Sequence, residues 1–157
     1  MKSIKTKIVD KINFEKFGEV VKFPNGKTTS EDNSYKFWSD IATYKIEGKT
    51  EIGICTVYKQ NKNIIEGVER HLHTPEILIP IDAPFVLPLL LEGDLEDMME
   101  SFKVEIGEAV VVNETVWHGA CLPVGKDSAS YFVIFRLNTP NEDVEKKSIS
   151  STLIEIE

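Results

Sequence analysis

Hydrophobic and polar positions along this chain change in short runs, and the runs have the length of strands. Stretches rich in Val, Ile, Phe and Tyr occupy residues 41–46, 51–58, 64–71, 76–81, 85–91, 102–106, 109–112, 130–137 and 152–156. Gly48, Asn61-Lys62-Asn63, Asp82-Ala83-Pro84, Gly93 and Gly125-Lys126-Asp127 punctuate them. Many short strands with turn residues at near-regular intervals predict an all-β sandwich or barrel. Several strands are apolar on both faces, such as Tyr131-Phe132-Val133-Ile134-Phe135. Such strands need cover inside and outside, from short helices, a second sheet or another subunit, and this last points to a homodimer. Two segments predict short helices. Residues 13–17 form a turn with Asn13 as N-cap and Gly18 as the stop, and residues 94–100 begin with an acid after Gly93. Residues 22–34, with Asn25-Gly26 and Thr28-Thr29-Ser30, read as a surface loop, with a lid over a site as the alternative.

Composition narrows the class. A length of 157 residues fits one domain, 1–157, with a proper core. A hydrophobic share of 41% and a charged share of 28% are those of a soluble globular protein. The formal charge of −8 argues against nucleic acid or an anionic membrane as partner. It also means that a small anionic substrate needs local cations to hold it. The longest apolar run, 83–91, is too short to span a bilayer and contains Pro84 and Pro88. Residues 1–10 mix charges among apolar residues, unlike a signal peptide, so the cytoplasm is the expected location. Cys55 and Cys121 are far apart, lie in apolar runs and read as buried free thiols.

The candidate chemistry sits in three histidines. His71 and His73 lie in Glu69-Arg70-His71-Leu72-His73-Thr74-Pro75-Glu76, and His118 in Val116-Trp117-His118-Gly119. Residues i and i+2 of a strand share a face, so His71 and His73 would project together. His118, from a neighbouring strand, would complete a facial set of metal ligands with positions open for substrate. Glu76 is the fourth candidate ligand and, with His118, a candidate catalytic group. Strict alternation aims it away from the histidines, and a bend at Pro75 would restore its aim. Imidazole ligands suit a divalent first-row ion, with Ni, Zn, Fe and Mn all open. Arg136 and Trp117 are candidates for substrate contact. Arg136 can clamp a carboxylate or serve a structural salt bridge, and Trp117 equally reads as a packing residue that orients His118. Arg70 alternates with His71 and predicts an ion pair with Glu69 or another acid.

Two resemblances bear on fold and activity. Gly107, five residues, Asn113-Glu114-Thr115, two residues and His118 resembles the second cupin motif, with Asn113 and Thr115 in place of the usual Pro and Gly. Gly67 through His71-Leu72-His73 and Glu76 resembles the first cupin motif with shortened gaps. Cupins are double-stranded β-helix barrels of the jelly-roll kind. Within them, the chain resembles the ureidoglycolate lyase family. The stretch Glu69-Arg70-His71-Leu72-His73-Thr74-Pro75-Glu76-Ile77-Leu78-Ile79-Pro80, the segment Val116-Trp117-His118, the turn Phe14 to Val20 and a late strand ending in Arg136 carry that likeness. The family usually has Gln at Glu76, a second His at Gly119 and often Asp at Phe135. The resemblance implies release of urea from ureidoglycolate to leave glyoxylate, in allantoin and purine nitrogen use, with a metal ion assisting. Other readings of the same motifs are a metal-dependent isomerase, epimerase or dioxygenase on a small polar substrate, and a non-catalytic cupin that binds a small metabolite.

Overall fold

The computed structural model describes residues 1–156. It contains fourteen strands: β1 (Lys2–Ile8), β2 (Gly18–Val21), β3 (Ser30–Glu31), β4 (Lys36–Phe37), β5 (Thr50–Tyr58), β6 (Ile64–Arg70), β7 (Glu76–Pro80), β8 (Phe85–Leu90), β9 (Glu100–Val104), β10 (Ala109–Val112), β11 (Trp117–His118), β12 (Leu122–Pro123), β13 (Ser128–Arg136) and β14 (Glu145–Glu155). The helices are one 3-10 turn, Glu96–Met98, and one four-residue helix α1, Thr139–Glu142. No described helix is long and apolar enough to cross a membrane.

The strands form two large sheets. One has the order β2-β10-β7-β13-β5; the other runs β11-β6-β14-β1-β9-β8-β12. From β5 onward the chain passes repeatedly between them, and the inner strands β6, β11, β8 and β9 face β5, β13, β7 and β10. That is the jelly-roll arrangement that the resemblance to cupins implies. Phe85, Leu87, Leu89, Phe102, Val110, Val112, Tyr131 and Val133 fill the space between the sheets.

The two chain ends add a second core. β11 pairs with β8 as well as with β6, so β6, β14, β1, β9, β8 and β11 close into a ring. β1 joins this ring by parallel pairing on both sides, to β14 and to β9. Ile4, Ile65, Val68, Val86, Leu90, Trp117 and Ile154 pack inside it. This explains why every residue of β8 is buried. Phe85, Leu87 and Leu89 face one core, and Val86 and Leu90 face the other. The outside cover that β8 needs comes from the chain's own first and last strands.

The differences from the sequence reading are local. Residues 41–46 form no strand: the chain bends at 41–42, directly after Asp40 in the left-handed region (φ 60°), and 43–46 are irregular. β1 escapes a hydrophobicity reading because Lys-Ser-Ile-Lys-Thr-Lys-Ile buries only Ile4. The turn before Gly18 is capped by Asp10, whose Oδ1 accepts from the backbone N–H of Ile12 and Asn13, rather than by Asn13. Residues 22–34 run into a small hairpin of β3 and β4.

Ile154 is 1% exposed although it stands near the chain end. Ile154→Ala should therefore cost about 2–5 kcal/mol in urea unfolding, as a truncation in the middle of a core does. A loss well under about 1 kcal/mol would mean that β14 frays as chain ends commonly do.

Candidate active site

The site forms where the chain twice crosses from one sheet to the other. β6 ends at Arg70 and β7 begins at Glu76; β10 ends at Val112 and β11 begins at Trp117. The two crossovers lie side by side, tied by a hydrogen bond from the Thr115 N–H to the His71 carbonyl (2.8 Å). Thr115 adopts φ 69°, a left-handed conformation that glycine takes more easily. The glycine usual in the motif is explained by that geometry, and threonine holds it here at some strain.

Alternation along the strands then decides which side chains meet. His118 pairs with Glu69 of β6 and with Leu89 of β8, and so faces the space between the sheets. Its neighbour Trp117 faces the ring core, where the Arg70 guanidinium (4.4 Å) and the Lys147 ammonium (4.5 Å) lie over its ring. Arg70 also pairs with Glu92 (2.8 Å) and Glu145 (2.9 Å), the acids that answer the ion pair expected of it.

Glu76 is the centre of the cluster. Its Oε2 accepts from His71 Nε2 at 3.1 Å and lies 3.2 Å from His118 Nε2. The carboxyl is buried, which alone would raise its pKa, but the two imidazoles hold it well below the usual carboxylate range. Burial likewise works against a charged His71, and the Glu76 carboxylate outweighs it, raising the His71 pKa from 6.5 to about 9. His71 Nδ1–H donates to the Asp143 carbonyl at 2.8 Å, which turns Nε2 toward Glu76. The Phe135 ring packs edge-on against His71, 5.7 Å between centroids.

Asp143 also fixes the backbone that carries His71. Its two carboxylate oxygens accept from the N–H groups of Leu72 and His73, each at 2.9 Å. These bonds outweigh burial and keep the Asp143 carboxyl below its ordinary range. No feature of the sequence pairs Asp143 with residue 71; the contact spans 72 positions and belongs to the tertiary fold.

Of the predicted site residues, the structure brings His71, Glu76 and His118 together. His73 is exposed and its side chain lies outside the cluster. The reason is that β6 stops at Arg70, so the same-face pair at spacing two is Glu69 and His71, not His71 and His73. Glu69 Oε2 is 3.9 Å from His71 Nε2, and Glu69, His71 and His118 each offer a ligand atom within 4.8 Å of the others. The irregular turn of residues 71–75 restores the aim of Glu76, which opens β7 opposite Val112. Arg136 is exposed at the end of β13 and does not line the cavity beside the cluster. Its backbone N–H is held by Thr74 Oγ1 at 3.0 Å.

That cavity measures about 780 Å³. Glu69, Glu76 and His118 stand on one wall, with Leu78, Leu87 and Val133 among the apolar lining. Both cysteines, unpaired as expected, border it together with Tyr131. Burial pushes the Cys121 thiol and the Tyr131 hydroxyl well above their ordinary ranges, so both are neutral donors.

The family model described as ureidoglycolate lyase matches residues 1–156. Comparison with curated proteins gave no match. Among solved structures, peruvianin-I, a cysteine peptidase from Thevetia peruviana latex, is 10% identical with a TM-score of 0.49, over 64% of this chain and 57% of that one. Oxalate decarboxylase of Lactobacillus farciminis, solved as a formate complex, is 13% identical with a TM-score of 0.46, over 64% of this chain and 26% of that one. A Bacillus subtilis oxalate decarboxylase is 14% identical with a TM-score of 0.46, over 64% of this chain and 24% of that one. The chain spans less than two thirds of the length of each of these.

The His71–Glu76 pair makes stability depend on pH. The His71 pKa is higher in the folded chain than its ordinary 6.5, so its contribution is complete below that value and fades as pH rises through about 9. The Tm of EDTA-treated protein should therefore fall between pH 6.5 and 9. Glu76→Gln should flatten that fall, and a wild-type Tm level across the window would dismiss the pair as a stabilising element.

Proposed function

Because the chain belongs to the ureidoglycolate lyase family, we propose that it is a carbon–nitrogen lyase that releases urea from ureidoglycolate and leaves glyoxylate. The observation that supports this best is the cluster of Glu69, His71, Glu76 and His118, of which Glu69, Glu76 and His118 line one cavity. Its donors suit a divalent first-row metal ion, two imidazoles and a carboxylate being a familiar set for such ions. His118 Nε2 favours the same reading: it is buried, it has no hydrogen-bond partner, and it faces Glu69 and His71. Glu69, His71 and His118 would hold the ion. When bound, it would act as a Lewis acid toward the substrate's hydroxyl and carboxylate oxygens and lower the hydroxyl pKa.

The proton movements fall to the chain's own groups. Glu76 takes the hydroxyl proton of the substrate at its carboxylate. The C=O bond of glyoxylate forms as the C–N bond breaks. The departing nitrogen takes the electron pair and a proton, so urea leaves and no net acid or base is consumed. Glu76 is ionised and ready to accept, but it is a weak base while the hydrogen-bonded His71 imidazole beside it carries a proton on both nitrogens. Loss of the His71 proton restores its basicity. Leu78, Leu87 and Val133 keep this part of the cavity apolar, which strengthens the electrostatic effects of the cluster.

Purified protein supplied with Ni, Zn, Fe or Mn and racemic ureidoglycolate should release glyoxylate and urea. His118→Ala should lower the rate by about 100-fold or more. A wild-type rate no better than buffer would shift weight to a metal-dependent isomerase, epimerase or dioxygenase, or to a metabolite-binding cupin.

We also propose a homodimer joined through the outer face of β5 and β13. Ile52, Ile54 and Phe132 are 69%, 66% and 38% exposed there, and Phe132 pairs with Ile54 in register. Sedimentation velocity should show a dimer that Ile54→Glu dissociates, and a monomeric wild type would end this idea.

A further inference from the structure

The cavity walls are acidic where an anionic substrate would have to sit. Glu51, Glu69 and Glu76 all line it. The cations on its lining are Lys146 and Lys147, both from β14. Lys147 pairs in register with Val68, on the face that looks into the ring core, and its ammonium lies over the Trp117 ring. Lys146 is placed differently. It pairs in register with Glu69, which in turn pairs with His118. Directly opposed residues of antiparallel strands project from the same face with neighbouring Cβ atoms about 5 Å apart. His118, Glu69 and Lys146 therefore form one row across β11, β6 and β14, on the cavity side. Among the described residues, no acid lies within ion-pairing distance of Lys146.

We propose that Lys146 binds the carboxylate of the substrate. This rests on the reading of the cavity as the site of a ureidoglycolate-type lyase. The row puts an uncommitted ammonium group two strands from His118, so an α-hydroxy acid can set its reacting carbon against the histidine cluster and its carboxylate toward Lys146. The ammonium offsets the repulsion from Glu51, Glu69 and Glu76 that would otherwise keep an anion out. It also answers the need for local cations that the chain's charge of −8 creates. Arg136, the other candidate for this role, is exposed outside the cavity. β14 thus has two uses: its apolar residues close the ring core, and its exposed Lys146 equips the cavity mouth.

The test measures glyoxylate binding by calorimetry on EDTA-treated protein, alongside turnover of ureidoglycolate by metal-supplied protein. Lys146→Met should weaken glyoxylate binding by about 10- to 100-fold, the worth of one hydrogen bond to a charged group. It should raise KM for ureidoglycolate more than it lowers kcat. Lys146→Arg should recover most of the affinity, and Arg136→Met should bind glyoxylate as wild type does. Wild-type affinity in Lys146→Met, or no glyoxylate binding by the wild type, would overturn the assignment. Lys146-dependent glyoxylate binding without turnover of ureidoglycolate would uphold the carboxylate site and reject the proposed lyase reaction.

Discussion

One buried carboxylate constrains the rest of the site. Glu76 is 8% exposed, and an ionised group so placed is stable only beside compensating donors. His71 donates a hydrogen bond to it, His118 Nε2 lies 3.2 Å from the same oxygen, and each imidazole comes from a different crossover between the sheets. Holding both imidazoles against one oxygen requires the two crossovers to lie side by side. The Thr115–His71 backbone hydrogen bond and the Asp143 carboxylate, which accepts from Leu72 and His73, do this. The strained φ of Thr115 is tolerated because these contacts over-determine the segment.

The same arrangement gives the site rigid walls. β8 is buried on both faces, between the core that faces the cavity and the core of the closed ring. β11, which carries His118, is only two residues long, yet it pairs with β6 on one side and with β8 on the other. Trp117 anchors it from the ring core, under two cations. A histidine on so short a strand keeps its orientation because its neighbour is fixed by packing and its backbone by two ladders. The chain ends are part of this support, since β1 and β14 complete the ring around Trp117.

The sequence was informative wherever local chemistry decides. Turn residues and β-branched runs located most of the strands, and the spacing from Gly107 to His118 marked that histidine by its resemblance to a cupin motif. It failed where a strand ends without a local signal. The His71-Leu72-His73 pattern reads as a same-face pair only if β6 continues, and β6 stops at Arg70. Glu69, one step earlier, takes the place that His73 was expected to fill, and an ordinary glutamate gives no sign of this. Lys146 and Asp143 were illegible for a related reason. Their roles come from the register of β14 on β6 and from contacts more than 70 residues apart.

By itself, then, the sequence determined the strand-rich all-β class and the two histidine motifs, and through their resemblance the jelly roll and the family, because periodicity, turn chemistry and motif spacing are local properties of a chain. Only the tertiary structure decided that Glu69 rather than His73 joins His71 and His118, that Arg136 points away from the cavity, and that β1 and β14 build a second core. Those outcomes depend on where strands end and on which strands become neighbours. Both are set by packing and hydrogen bonding between distant parts of the chain.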